Sequence, residues 1–221
     1  MPIANAKSDD AATLWRAKGF VSRAELKLAD AVQAFGVDFR GKTVLDIGSS
    51  TGGFTDFALK KGAKKVIAVE KGTNQMSPFL RRDPRVELHE KTDIFDFKIT
   101  SYPDIIMADV SFLSLTKVLK YAKMRLAGLH TVLLVMLKPQ FEAKPFQLVD
   151  GVVKNHKIRR EIIKNFEQTI KPHFKIHAKH DNATSGRYGN VERFYLLSLL
   201  PQNRTGALAS KPPFHPLIVM G

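Results

Sequence analysis

At 221 residues with 44% hydrophobic content, the chain suits one α/β domain with a sizeable core, which excludes a disordered polyelectrolyte. It contains no cysteine, which excludes disulfide staples and thiolate metal sites and fits a reducing cytoplasm. Lys and Arg outnumber Asp and Glu 35 to 21, and the resulting +14 favours a polyanionic partner such as nucleic acid over a small neutral substrate.

Residues 1–20 read as a loosely ordered arm. Lys7, Asp9, Asp10, Arg16 and Lys18 interrupt it, so it lacks the apolar centre of a signal peptide. Residues 22–25 form a capping box, and Leu28, Ala29, Val32 and Phe35 follow at helical spacing until Gly36 stops the helix. Thr43–Ile47 reads as a first strand, closed by Gly48 and followed by a helix that runs to Lys60. Residues 65–70, 86–88, 104–109 and 131–137 are the next four strands. The longest apolar run, 132–137, falls far short of the ~20 residues of a membrane span. A helix over about 157–170 and strands at 174–180 and 193–200 complete the pattern. Apolar strands alternating with amphipathic helices predict a Rossmann-like α/β fold. Its sheet is seven-stranded and mostly parallel, with an antiparallel last strand and helices on both faces. The domain covers 21–200, and residues 201–221, rich in Pro, Gly, Ala and Ser, form an irregular tail.

The turn after the first strand carries the strongest local signal. It runs from Asp46 through Gly48, Ser49, Ser50, Thr51, Gly52 and Gly53 to Phe54, where a helix opens. Glycines there let the backbone turn tightly and approach a ligand. A pyrophosphate site needs glycines at G-x-G-x-x-G spacing, whereas positions 48, 52 and 53 behind Asp46 resemble the D-x-G-x-x-x-G pattern of S-adenosylmethionine enzymes. That donor requires acceptors for a cationic amino acid end, and Asp46 can help supply one. Glu70, 22 residues after Gly48, stands where a carboxylate accepts both ribose hydroxyls. Asp93 either accepts from the adenine amino group or caps a turn with Thr92.

Asp109 and Lys138 each end an apolar parallel strand, at the edge where open α/β sheets bind ligands. Glu192 precedes the last strand, and an antiparallel last strand would begin at that same edge. Lys27 lies one turn into the first helix, with small Ala31 and Ala34 beside it. One crevice can therefore hold Lys27, Asp109, Lys138 and Glu192, two cations and two carboxylates. Such a set suits removal of a proton from a sugar hydroxyl beside a cationic methyl donor.

At this point the chain resembles the FtsJ-like 2′-O-ribose methyltransferases, most closely the TlyA or haemolysin A branch. The resemblance covers about 21–199. It rests on Ser22-Arg23 with Lys27-Leu28, the 46–54 turn, Asp109-Val110-Ser111-Phe112, Lys138-Pro139-Gln140-Phe141-Glu142, Gly151-Val152-Val153 and Gly189-Asn190-Val191-Glu192. It implies S-adenosylmethionine as cofactor, RNA (ribosomal RNA or a ribosomal subunit) as substrate, and Lys27, Asp109, Lys138 and Glu192 as a catalytic tetrad, with no metal and no membrane. A lysine base must shed its proton, which desolvation and a neighbouring lysine assist; either lysine can fill that role. The branch usually starts with an RNA-binding domain of roughly 60 residues, the size of the smallest independently folding units. Here about twenty residues precede the first helix, so RNA grip is expected from the basic surface, a partner or a homo-oligomer. Residues 154–193 hold ten basic and four acidic side chains, and Arg23, Lys154, Lys157, Arg159, Arg160 and Arg187 are the candidate RNA contacts.

Competing readings are a non-catalytic RNA- or ribosome-binding factor that keeps the donor pocket, a small-molecule methyltransferase, and a haemolysin-like membrane-active protein. An intact tetrad weighs against the first, and +14 has no purpose in the second. No amphipathic membrane helix supports the third.

Overall fold

The computed structural model of the protein describes residues 23–182 and 190–201. Ser22, Arg187, Gly189, the N-terminal arm and the tail from residue 202 lie outside the described residues, as does the side chain of Arg23.

Helix α1 (Arg23–Phe35) ends where Gly36 takes a positive φ of 66° and its N–H returns to Val32 O. Strand β1 (Thr43–Ile47) leads through the glycine turn into α2 (Gly53–Lys60). Then come β2 (Lys65–Val69), the single turn α3 (Pro78–Arg81), β3 (Val86–His89) and β4 (Ile105–Ala108). Helix α4 (Leu115–Tyr121) continues into a π-helical turn at Ala122–Leu126, followed by β5 (Val132–Leu137) and the short α5 (Pro139–Glu142). A 3-10 turn at Pro145–Gln147 precedes α6 (His156–Ile170), β6 (Phe174–Asp181) and β7 (Arg193–Leu199).

The seven strands form one sheet in the order β3-β2-β1-β4-β5-β7-β6. The first five are parallel, and β7 is inserted antiparallel between β5 and β6. This is the expected mostly parallel sheet with an antiparallel last strand.

Strand alternation divides the core between two faces. Val44, Met107, Leu134, Met136 and Phe194 turn towards α1 and α2, where they meet Leu28, Ala31, Phe54 and Phe57. Leu45, Ile106, Leu133, Val135, Tyr195 and Leu197 turn the other way and meet Leu115, Leu119, Ile163 and Phe166 from α4 and α6. Asn155 caps α6 by accepting from Lys157 N and Ile158 N at 2.8 and 3.2 Å.

Helix α4 escaped the sequence reading because its cap is tertiary. Glu142, on α5, accepts from Leu115 N at 2.5 Å, Ser114 Oγ at 2.8 Å and Thr116 Oγ1 at 3.1 Å. A carboxylate 27 residues away thus supplies what an N-cap side chain usually supplies.

Phe194 is fully buried and stacks on Phe54 with centroids 6.1 Å apart, joining α2 to β7 just beyond Glu192. Truncating it leaves a cavity that neither the sheet nor α2 can close. Phe194→Ala is expected to destabilise the fold by about 3–5 kcal/mol in urea titration, with the m-value unchanged.

Candidate active site

A cleft of about 480 Å³ opens along the carboxyl edge of the parallel strands. Gly48, Ser50, Glu70, Asp93 and Asp109, all singled out from the sequence, lie on its walls, with Ile94, Val110 and Leu113 as apolar surface. Gly48 has a φ of 81°, and a Cβ there would sit 3.0 Å from the carbonyl oxygen of Asp109. Only glycine lets the β1 turn pass this close to the end of β4. Ser50 and Phe112 also line the cleft and hold positive φ values of 46° and 60°, a backbone cost that functional sites commonly carry.

Glu70 follows β2 directly. Its Oε2 accepts from Ser50 N at 2.9 Å and its Oε1 from Gly72 N at 2.7 Å, so it fixes the glycine turn while both oxygens keep a free lone pair. Asp93 fulfils the turn-capping alternative, since Oδ1 accepts from Phe95 N at 3.1 Å, and it also lies on the cleft wall. The Lys71 ammonium, 2.9 Å from Oδ2, holds its carboxyl below the ordinary range. Lys71 and Gln75 are cleft residues that the sequence reading missed. Both sit in an irregular loop after Glu70, where no periodicity marks a wall residue.

The remaining residues of the turn do not line the cleft. Asp46 is completely buried on the α2 face of β1, where Oδ2 accepts from Thr55 Oγ1 at 2.7 Å and Oδ1 has no protein partner. Ser49 is buried with its hydroxyl unpartnered, and Phe54 belongs to the core. Thr51 accepts from Ser77 N through its carbonyl. Gly52 takes a φ of 95° against Leu80, and Gly53 begins α2. Asp46 points inward because it shares strand parity with Val44.

One ion pair reaches the cleft through its wall residue Asp109, and a second lies at the end of the adjoining strand; Lys27, Lys138 and Glu192 do not themselves line the cleft. The Lys138 ammonium is 2.6 Å from Asp109 Oδ1 and donates to Ser111 Oγ at 2.9 Å, with the Phe141 ring centroid 5.9 Å away. The Lys27 ammonium donates to Glu192 Oε2 at 2.5 Å. All four side chains are at most 17% exposed. Sheet register brings the pairs together: Leu137 on β5 faces Arg193 on β7, so Lys138 and Glu192 are the next residues outward on adjoining strands. The four charges cancel, and none of the four is left alone in this half-buried setting.

The basic candidates divide. Lys157 and Arg160 are exposed on α6, and Lys154 is exposed beside Asp150. Arg159 instead donates to Asp181 Oδ1 at 3.0 Å and to the Val191 carbonyl, which ties α6 to the segment before Glu192. Among the described residues no helix is long and apolar enough to cross a membrane, and no group of three or more His, Cys, Asp and Glu could hold a metal ion.

A family model described as FtsJ-like methyltransferase matches residues 20–199. The chain is 38% identical over 179 residues to the 23S rRNA (cytidine-2′-O)-methyltransferase TlyA of Campylobacter jejuni, a match covering 80% of this chain and 70% of that protein. It is 37% identical to Hemolysin A of Brachyspira hyodysenteriae, over 78% and 74% of the two chains. A solved hemolysin-named protein from Streptococcus thermophilus superposes with a TM-score of 0.78 at 33% identity, over 84% of this chain and 70% of that one.

Burial pushes the Asp46 carboxyl up to about 7; Asp109 and Glu70 push the same way, against the Thr55 hydrogen bond. Its folded value exceeds its unfolded value of ~3.9, so its contribution to stability is complete below pH ~4 and is lost as pH rises towards 7. Asp46→Asn removes this loss. The stability of the variant minus that of the wild type is expected to rise by roughly 2–3 kcal/mol between pH 5 and pH 8 in paired urea melts. A pH-independent difference would contradict the assignment.

Proposed function

The chain belongs to the FtsJ-like methyltransferase family, and from that premise we propose that it methylates the ribose 2′-hydroxyl of RNA, with ribosomal RNA as substrate and S-adenosylmethionine as donor. The observation that carries this reading is the Lys138–Asp109 pair on the cleft edge, with Lys27–Glu192 beside it on the adjoining strand. The methyltransferase domain spans 21–200 and works in the cytoplasm.

The residues fit the donor. The cleft volume is within the range of small-molecule sites. Gly48 lets the turn lie against the end of β4 on the cleft wall, and Glu70 offers lone pairs to ribose hydroxyls. Asp93 stands at the wall for the adenine amino group, and Ile94, Val110 and Leu113 supply apolar surface. Asp46, buried under the turn with one unpartnered oxygen, adds negative potential below the cationic end.

When bound, the donor supplies an electrophilic methyl group on a sulfonium. A ribose hydroxyl is a weak nucleophile until its proton has a destination. Lys138, as a neutral amine, takes that proton. The proton passes from the ribose oxygen to Lys138 Nζ, and the ammonium so formed stays beside Asp109 Oδ1 and Ser111 Oγ. Asp109 lines the cleft, so a cationic donor held there would share with Lys138 the carboxylate that the ammonium otherwise holds. Ser111 fixes the direction of the lysine head group, while Glu192 holds Lys27 where it can orient the ribose.

The substrate side of the cleft suits RNA. Phe112 is 93% exposed at the rim and offers a ring on which an unstacked base can rest. Lys154, Lys157 and Arg160 present charge to phosphates, and Arg23 and Arg187 extend the candidate set.

Lys138→Ala is expected to lower single-turnover methyl transfer to rRNA fragments by ~10²–10⁴-fold while donor affinity stays within a few fold. Near-normal transfer would remove the tetrad assignment. Neutralising Lys157 and Arg160, but leaving the strut Arg159, is expected to flatten the salt dependence of RNA binding by roughly 0.7–0.9 log units per lost phosphate contact. An unchanged slope would put the RNA surface elsewhere.

A further inference from the structure

The segment between Lys138 and α6 is built as a rigid projection that presents side chains the fold does not use. Phe146 is 80% exposed and Val149 52% exposed, although both are large and apolar. The backbone around them is firmly held. Lys144 N donates to Gln147 Oε1 at 2.8 Å and Gln147 N returns to Lys144 O at 2.9 Å, closing the 3-10 turn under Phe146. Val149 and Val152 exchange both backbone hydrogen bonds, at 2.9 and 3.0 Å, across Asp150 and Gly151, which hold φ values of 52° and 74°. Two positive φ values in a two-residue connection make a tight hairpin of fixed twist.

The base of the hairpin is anchored as well. Asn190 is buried; its Oδ1 accepts from Val153 N and its Nδ2 donates to Gly151 O, both at 3.4 Å. At the other end, Glu142 ties α5 to α4. An exposed phenylalanine on such a support costs water contact without adding to the core.

Its surroundings hold three lysines against one exposed carboxylate, Asp150 in the hairpin turn, which lies 3.2 Å from the Lys154 ammonium. The Lys144 ammonium lies 5.9 Å from the Phe146 ring centroid, as Lys138 does from Phe141. Lys154 and Lys157 stand exposed just beyond the hairpin. Phe146 is five residues beyond Phe141, so chain length alone keeps it within roughly 17 Å of that residue, a few nucleotides from the proposed ribose.

We infer that this projection is a stacking platform for single-stranded RNA flanking the target nucleotide. Phe146 takes the face of one base, and Lys144 and Lys154 take the neighbouring phosphates. An aromatic ring with adjacent lysines matches the stacking-plus-charge chemistry by which proteins hold single strands without reading sequence. The inference rests on the RNA reading above, and it adds the place where the strand is held.

The test uses the full chain and two fluorescein-labelled probes, a mixed-sequence 12-nucleotide RNA and an abasic RNA of equal length. Phe146→Ala is expected to weaken binding of the mixed RNA by about 5- to 50-fold. Phe146→Trp should bind it at least as well as the wild type. Neither variant should change affinity for the abasic RNA, the salt slope, or donor affinity by calorimetry. Equal binding of the mixed RNA by wild type and Phe146→Ala would overturn the platform and leave the methylation reading standing. A wild type that binds no RNA would overturn both. Phe146-dependent binding to anionic phosphatidylserine vesicles, without Phe146-dependent RNA binding, would assign the projection to a membrane and overturn the inference.

Discussion

The site depends on one topological fact: β7 runs antiparallel between β5 and β6. Parallel strands point their carboxyl ends at the cleft, so only an inverted strand can bring its beginning there. Inversion places Glu192 beside Lys138 through the Leu137–Arg193 register and gives Lys27 of α1 a carboxylate to meet. A shift of one residue in that register would turn Glu192 to the other face of the sheet. The network of Asp181 with Arg159 and Arg193, and of Glu167 with Tyr195, pins β6, β7 and α6 together, and Arg159 also holds the Val191 carbonyl next to Glu192. Its arginines therefore serve the site without touching it.

Electrostatics within the site and over the molecule have opposite character. The chain carries +14, yet the four charges at the cleft edge sum to zero and each faces its opposite. A neutral site can admit a cationic donor without meeting net repulsion, while the surrounding positive field gathers a polyanion. Buried Asp46, on the far side of the glycine turn, contributes a further negative charge that depends on pH near neutrality. The proposed donor and RNA would thus be favoured by separate parts of one charge distribution.

Much of this was legible in the sequence. The strands were visible as apolar runs, and the glycine turn with Glu70 marked where the cleft lies. The four charged residues were placed at one edge once an antiparallel last strand was allowed. What stayed hidden is what tertiary contact decides. Lys138 beside Asp109 was expected, whereas Glu192 was left with either Lys27 or the ribose as its partner, and the fold gives it Lys27. The inward turn of Asp46 follows from strand parity at the end of β1, and the commitment of Arg159 to Asp181 from how α6 lies against β6. Helix α4 was missed because its cap comes from Glu142, far along the chain. Ser111 could have been found, since it stands two residues beyond Asp109 and faces the strand end that carries Lys138.

The central claim concerns which atom receives the methyl group, and isotope-labelled product analysis tests it most directly. Ribosomal RNA is incubated with the protein and S-adenosylmethionine carrying a deuterated methyl, digested to nucleosides, and examined by tandem mass spectrometry. The account predicts the label on the ribose fragment, as a 2′-O-methyl nucleoside, and an RNA strand resistant to alkaline cleavage at that position. Label on a base fragment, or RNA left unlabelled, would contradict it.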